Sequence, residues 1–428
     1  MSHLSKKIKQ INGPVNVVRL EGMFDGIKKI LYVFMDFHIP VSHETVCDNV
    51  FRKDVEEYFA ESFYNLNSSS KTYDFFLETW WMTFDNINYG LDYKANVNYK
   101  GKYIEEVIKL FRKLFVYEPN KVSISKLFTN VRLHYLDIRT FFEELFYFEF
   151  HDMIHIANSM RINEFVNVYN LTAIINFLNK FVKYCHFIKN IIEEIKSPKK
   201  KIIKKVNIIE FNKNINVNET EEVKEKKRYE LFYYLLNKMY NLYKHGKVKQ
   251  FARQEIDIVI DRINNLIANT ENAISEFNEI LNINNNVNNN SENNLYKRSD
   301  GSYNYGIPFE TMHAMCETIY LTLDRIADDL RDSFIKFMDI YFIRRFLDKD
   351  YITNAIAYTG AHHSLIYIDI LCKKFNFKVT HVYYSKIPDL KLLNEEIKKT
   401  DVNGLGLLFY PPFLSQCSDL TNFPENFE

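Results

Sequence analysis

Apolar and polar positions change rhythm along this chain, and each change marks a different kind of element. Two apolar runs, residues 15–20 and 28–34, flank Phe24-Asp25-Gly26. Asp-Gly between apolar runs is a hairpin signal, so these residues predict a β-hairpin leading into a first core strand. Helical material follows around residues 47–63. Tyr73-Asp-Phe-Phe-Leu-Glu-Thr-Trp-Trp81 predicts a second strand. Residues 103–116 carry Ile104, Val107, Ile108 and Phe111 at helical spacing. Asn130-Val-Arg-Leu-His-Tyr-Leu-Asp-Ile-Arg139 alternates in type and predicts a third strand. Strand, helix, strand, helix, strand points to a parallel sheet.

The rhythm then lengthens. Residues 140–192 are aromatic-rich and helical, 228–281 read as long helices, and 308–346 carry a stripe of Met312, Met315, Ile319, Leu323 and Ile326. That stripe is most simply a core face. Between them lie a Lys-rich stretch from Lys196 to Lys205 and the asparagine run 282–294, expected to be mobile loops. The Lys-rich stretch, next to acidic residues 219–225, reads as a solvated loop rather than a phosphate site. The α/β pattern returns with a strand over 351–358, a helix over 363–375 and a strand over 377–384. From Ser385 a proline-bearing tail is expected to wrap the surface. The expected fold is α/β: a mainly parallel sheet with flanking helices and a large helical insertion. The first part of the core spans 1–139, the insertion 140–350, the second part of the core 351–385 and the tail 386–428.

Composition narrows the picture in a few respects. The 428 residues are 46% hydrophobic, enough for a sizeable core. Lys plus Arg and Asp plus Glu are both 55, so global charge gives no argument for nucleic acid or an anionic membrane. No apolar run reaches the length of a spanning helix, and the basic N-terminus lacks the apolar stretch of a secretory signal. Five scattered cysteines, without Cys-x-x-Cys spacing, predict neither a disulfide framework nor a cysteine zinc site, and fit a reducing compartment. Neither a P-loop nor a dinucleotide-binding glycine motif is present.

The candidate chemistry sits where predicted strands end. Ile30-Leu-Tyr-Val-Phe-Met-Asp-Phe-His38 and Ile352-Thr-Asn-Ala-Ile-Ala-Tyr-Thr-Gly-Ala-His-His363 are apolar runs that each finish on histidine. Ligands in open α/β sheets bind beyond the carboxyl ends of the strands, so His38 and His363 are expected to share a pocket there. Asp36 lies two residues before His38, Glu78 ends the second strand, and Arg132, His134, Asp137 and Arg139 lie on or just past the third. Imidazoles with carboxylates suit a histidine base oriented by an acid, or a divalent metal such as Mn, Zn or Fe held by His38, Glu78 and His363. The arginines would stabilise an anion or oxyanion. The rival reading makes Glu78, Arg132, Asp137 and Arg139 a buried ion-pair network. His362 is a further possible ligand.

Two other motifs compete. His151-Asp-Met-Ile-His155 has the i, i+4 spacing of a zinc-protease helix with Asp in place of Glu and no clear third ligand; a polar helix face is the simpler reading. His43 and Cys47 are four apart, but a buried structural cysteine is the commoner case.

Met35-Asp36-Phe37-His38 and Gly360-Ala361-His362-His363 resemble the paired motifs of the erythromycin esterase/ChaN/TIKI superfamily. There an early strand ends in Gly-Glu-x-His and a late one in Gly-Ala-x-His. Met35 stands where that family has glycine, and Asp36 where it has glutamate. Tyr73-Asp-Phe-Phe-Leu-Glu78 and Arg132-Leu-His-Tyr-Leu-Asp-Ile-Arg139 are similar to its next strands. The whole pattern also resembles uncharacterised proteins of large DNA viruses. The resemblance implies an ester, peptide or amide hydrolase acting on a small molecule or peptide, metal-dependent or not, in an intracellular setting such as host cytoplasm or virion. The alternative is a catalytically degenerate virion or host-interaction protein that binds a protein partner through its insertion.

Overall fold

The chain enters sheet structure early. Strand β1 (Gln10–Asn12) precedes β2 (Asn16–Phe24) and β3 (Ile27–Asp36), which form the hairpin around Asp25-Gly26. Asp25 and Gly26 sit at φ of 46° and 79°, the paired positive values of a two-residue type I′ turn. Next come β4 (Lys53–Asp54), α1 (Val55–Asn65), β5 (Tyr73–Leu77), α2 (Tyr103–Leu114), β6 (Ser123–Ile124) and β7 (Val131–Tyr135). The insertion comprises α3 (Tyr147–Asn163), α4 (Val168–Lys196), α5 (Glu221–Asn241), α6 (Gly246–Asn289), the two-stranded ribbon β8 (Leu295–Lys297) and β9 (Tyr303–Tyr305), and α7 (Phe309–Leu347). The chain then returns through β10 (Asn354–Gly360), α8 (Ala361–Phe375), β11 (Lys378–Val382), α9 (Leu390–Lys399), α10 (Val402–Phe409) and β12 (Cys417–Asp419). This computed structural model describes residues 9–41, 47–79, 101–115, 123–138, 146–197, 221–289, 295–297, 303–305, 309–413 and 415–428.

The main sheet has the strand order β11-β2-β3-β10-β5-β7-β6. Its four central strands, β3, β10, β5 and β7, run parallel, whereas β11, β2 and β6 pair antiparallel at the flanks. The expected mainly parallel sheet is thus corrected to a mixed one. The reason is local: a two-residue hairpin forces β2 antiparallel to β3, and the short link from β6 to β7 does the same. β10 lies in the middle, with Gly360 opposite Asp36 of β3 and Tyr358 opposite Leu77 of β5. A second sheet, β12-β1-β4, joins the two ends of the described chain.

Both faces of the main sheet are covered. On one, Tyr32, Phe34, Phe75, Leu77 and Tyr358 pack against Phe59, Phe63 and Phe111 of α1 and α2. On the other, Leu31, Val33, Met35, Phe76 and Ala357 pack against α8 and the C-terminal part of α7, through Met338, Phe342 and Phe346. The insertion has its own core, where Met315, Ile319, Leu323 and Ile326 of the predicted stripe are buried against α4, α5 and α6. α7 therefore runs continuously from one core into the other. Its end is held by Lys29, which is fully buried and donates from Nζ to the carbonyl oxygens of Ile352, Lys349 and Phe346 at 2.6, 2.9 and 3.1 Å. A cation at a helix C-terminus is electrostatically well placed.

Three expectations are corrected. The asparagine run is helical as far as Asn289, and Asn284 is buried with its amide donating to the Ile280 carbonyl at 2.8 Å; helix packing overrides composition there, and residues 290–294 lie outside the described residues. The tail packs instead of merely wrapping the surface. Asp389 and Asp401 cap α9 and α10 by accepting from the Leu392 and Gly404 N–H groups, and Leu393, Leu405, Phe423 and Phe427 are buried. Finally, Cys47 and Cys417 form a disulfide, with Cα atoms 5.1 Å apart. Asn12 of β1 pairs with Cys417 of β12 and accepts from the Cys47 N–H at 2.9 Å through its side-chain oxygen, which brings the two cysteines together in a way that scattered spacing cannot reveal.

Candidate functional site

The carboxyl ends of β3, β5 and β10 converge, and each delivers one residue to a common point. β3 ends at Asp36, and the backbone turns at His38 with φ of +58°. A left-handed histidine costs about 1 kcal/mol and marks a spot where the fold imposes a conformation. The turn is held by Asp36, whose Oδ1 accepts from the His38 N–H at 2.5 Å and lies 3.0 Å from His38 Nδ1. The Tyr358 hydroxyl donates to the other oxygen of Asp36. Glu78 follows β5 and is fixed by its own N–H to the Tyr358 carbonyl at 3.1 Å. Gly360, the last residue of β10 and N-cap of α8, donates its N–H to Glu78 Oε2 at 2.6 Å. A Cβ at Gly360 would stand 2.8 Å from His38 Nε2 and 3.3 Å from Glu78 Oε2, so the close approach requires glycine.

His363, in the first turn of α8, completes the cluster. Glu78 lies between the two imidazoles: its Oε2 is 3.6 Å from His38 Nε2, and its Oε1 is 3.8 Å from His363 Nε2. Each Nδ1 faces an aspartate: Asp36 for His38, and for His363 Asp339 of α7 at 2.7 Å. The result is a row of Asp36, His38, Glu78, His363 and Asp339. Burial lowers the His38 pKa, but hydrogen bonds and charges from Asp36 and Glu78 outweigh it and raise the value to about 10. His38 is therefore an imidazolium at neutral pH, while still about a third exposed at its side chain. Asp36, Asp339 and His363 are buried.

The remaining predicted residues separate from this point. Arg132 and His134 both engage Asp74: Arg132 is bidentate at 2.8 and 2.5 Å, and His134 Nε2 lies 2.7 Å away. Arg345 of α7 donates to His134 Nδ1 at 3.0 Å, so Nε2 must carry the proton that Asp74 accepts. Burial, reinforced by Arg345 and Arg132 against the pull of Asp74, lowers the His134 pKa to about 4. Asp74, Arg132, His134 and Arg345 together make an ion-pair and hydrogen-bond network. It joins sheet to insertion away from the exposed imidazole. Asp137 lies just past β7, buried, with its N–H on the Thr79 carbonyl at 3.2 Å. Arg139 and His43 lie outside the described residues. His362 is exposed, as are His151 and His155 on α3, and the disulfide removes Cys47 from any Cys/His pair.

Among the described residues, no group of three or more His, Cys, Asp and Glu is arranged to hold a metal ion. The imidazole Nε2 atoms face different oxygens of one carboxylate at 3.6 and 3.8 Å, donor-to-donor spacings close to the roughly 3.4 Å between ligand atoms that share a metal at bond lengths near 2 Å. Sequence reasoning missed Asp339, Tyr358 and the Gly360 amide. The available signal was Asp339 itself, an acid inside the otherwise apolar Phe337-Met-Asp-Ile340. A cavity of about 1080 Å³ lies elsewhere, between α1 and the tail, with Tyr32, Tyr58, Phe423 and Phe427 among its lining.

Residues 9–428 match a family of unknown function, DUF5847. The chain is 38% identical over 442 residues to uncharacterized protein R706 of Acanthamoeba polyphaga mimivirus, covering all of both chains. It is 38% identical over 452 residues to R161 of the same virus, again end to end, and 36% identical to R160 over 99% of this chain and 98% of that one. No solved structure matches. No described helix is long and apolar enough to cross a membrane. The chain belongs to the DUF5847 family.

Proposed function

We propose that this member of the DUF5847 family is a hydrolase of ester or amide bonds, with its acid–base centre at Glu78 between His38 and His363. The observation that carries this reading is the convergence of two aspartate-paired histidines on one carboxylate at the strand ends. Asp339 can only accept, so Nδ1 of His363 carries its proton and Nε2 faces Glu78. The 3.8 Å gap between that nitrogen and Oε1 is too long for a direct hydrogen bond and too short to seat a water between them, so the attacking water enters beside the pair, within reach of both atoms. His363 takes the water's proton as it attacks the substrate carbonyl. His38, already charged, donates to the developing oxyanion and then protonates the leaving group, and Glu78, lying between the two rings, relays the proton taken up by His363 back to His38. Glu78 stabilises both imidazolium forms.

The likeness to the erythromycin esterase/ChaN/TIKI superfamily rests on the two motifs and the strands that resemble its next ones, and two contacts support the reading despite its departures. The Met35 side chain points away into the sheet core. Asp36, though shorter than glutamate, reaches both the His38 amide and ring. A substrate of small-molecule or peptide size and a viral setting in host cytoplasm or virion belong to the same proposal. The test is a broad ester, peptide and amide panel with wild-type protein, Glu78→Gln and His363→Ala, alongside metal analysis. Either substitution is expected to lower any turnover at least about 10²-fold. Wild-type protein inactive across the panel would leave the alternative: a degenerate member acting by binding through its insertion. Stoichiometric bound metal lost with His38→Ala and His363→Ala would replace the metal-free chemistry.

A further inference from the structure

The fifth member of the row comes from the insertion. The N-terminal part of α7 packs in the insertion core through Ile319, Leu323 and Ile326, and its C-terminal part in the sheet core through Met338, Phe342 and Phe346. Asp339 sits where the two meet, 1% exposed. Its Oδ1 lies 2.7 Å from Nδ1 of His363, and its Oδ2 is buried without a hydrogen bond. A buried carboxylate with so little satisfaction is costly; if the position only had to be filled, an apolar side chain would be the more stable choice. The contact it does make has a directional effect. An ionised carboxylate cannot donate, so it fixes the proton on Nδ1 and turns Nε2 toward Glu78.

Two neighbouring contacts keep α7 in register with the sheet. Arg345, six residues further along the helix, donates to His134 of β7 at 3.0 Å. Lys29 of β3 gathers the carbonyls at the helix end. Asp339 is thus placed by two ties on its C-terminal side and by the insertion core on its N-terminal side.

We infer that Asp339 is a positioning residue for His363, and that the helical insertion thereby completes a centre otherwise built at the strand ends. Its catalytic meaning rests on the hydrolase reading; the positioning itself does not. The experiment uses full-length protein labelled with ¹⁵N-histidine, with the His363 signal assigned by its loss in His363→Gln. Wild-type protein is expected to show a downfield, slowly exchanging Nδ1–H for His363. Asp339→Asn keeps the shape but offers only a neutral acceptor, so that signal should move upfield and exchange faster. Asp339→Leu should lose it. Absence of the signal in wild-type protein overturns the inference, as does an unchanged signal in either variant that folds. Where turnover has been found, Asp339→Asn should lower kcat by about 10-fold or more while KM stays within about twofold. A failed substrate panel sinks the hydrolase reading but leaves the proton signal to decide this one.

Discussion

Replacing Lys29 by methionine tests whether the sheet grips the insertion as described. The substitution keeps the length of the side chain and removes its charge and its donors. Lys29 Nζ lies within 2.6–3.1 Å of three carbonyls, with the side chain fully buried. Stranding a buried acceptor costs about 1–3 kcal/mol. Some of those carbonyls keep other donors, and the variant is relieved of burying an ammonium, a burden large enough to lower the pKa of Lys29 to about 8. A net loss of about 3 kcal/mol is the working value. At about 2.1 cal/mol/K of unfolding entropy per residue, that loss lowers the melting midpoint of this 428-residue chain by about 3 °C. Scanning fluorimetry at fixed scan rate resolves this, and Lys28→Met is the control. Lys28 is exposed and paired with Glu21 at 2.8 Å, a contact worth about 1 kcal/mol or less. Equal midpoints for the two variants would refute the claim that Lys29 anchors α7.

Other outcomes follow from the same structure. Gly360→Ala should leave the sheet intact while displacing the His38 ring from Glu78, because the new Cβ would stand 2.8 Å from Nε2; an unmoved His38 ring signal in NMR spectra would contradict the packing. Denatured but unreduced protein should titrate three thiols, from Cys185, Cys316 and Cys372, and five only after reduction; five without reduction would remove the disulfide. His38 has its pKa raised from 6.5 to about 10 in the folded protein. Its ion pairs therefore stabilise fully below about 6.5 and progressively less as pH rises to about 10. The difference in midpoint between wild type and His38→Gln should narrow over that range, and a widening gap would show that Asp36 and Glu78 do not hold the proton.

How much of this was legible depended on the range of the interaction. Asp25-Gly26 announces the β2–β3 hairpin because the turn's backbone requirement is local, and the strand ends at His38 and Gly360 follow from where apolar runs stop. The sheet's mixed character was present in that same hairpin, yet the strand–helix alternation outweighed it. Arg132, His134 and Asp137 looked equivalent to Glu78 in sequence. They differ because each strand has two ends and two faces, and only register decides which residues meet. Asp339 was visible only as an acid in an apolar run, with nothing to name its partner, and the Cys47–Cys417 pair could not be read at all. Their partners lie on elements whose neighbours are set by tertiary packing, and for Cys417 by the pairing of β1 with β12.

The central position of β10 governs the order in which the molecule can be made. β3 and β5 leave the ribosome with an unfilled gap between them, since the strand that pairs with both is translated only after the whole insertion. Two apolar strands must wait with open edges, a state prone to pairing with other chains. The insertion has a core of its own, so it can collapse during that wait and present the end of α7 as a surface on which the sheet closes. Contacts as distant as Gly360 with Asp36 make that closure slow. The histidine pair consequently forms last, in the same event that shuts the sheet, and a chain truncated before residue 354 would lack a site and retain two sticky edges.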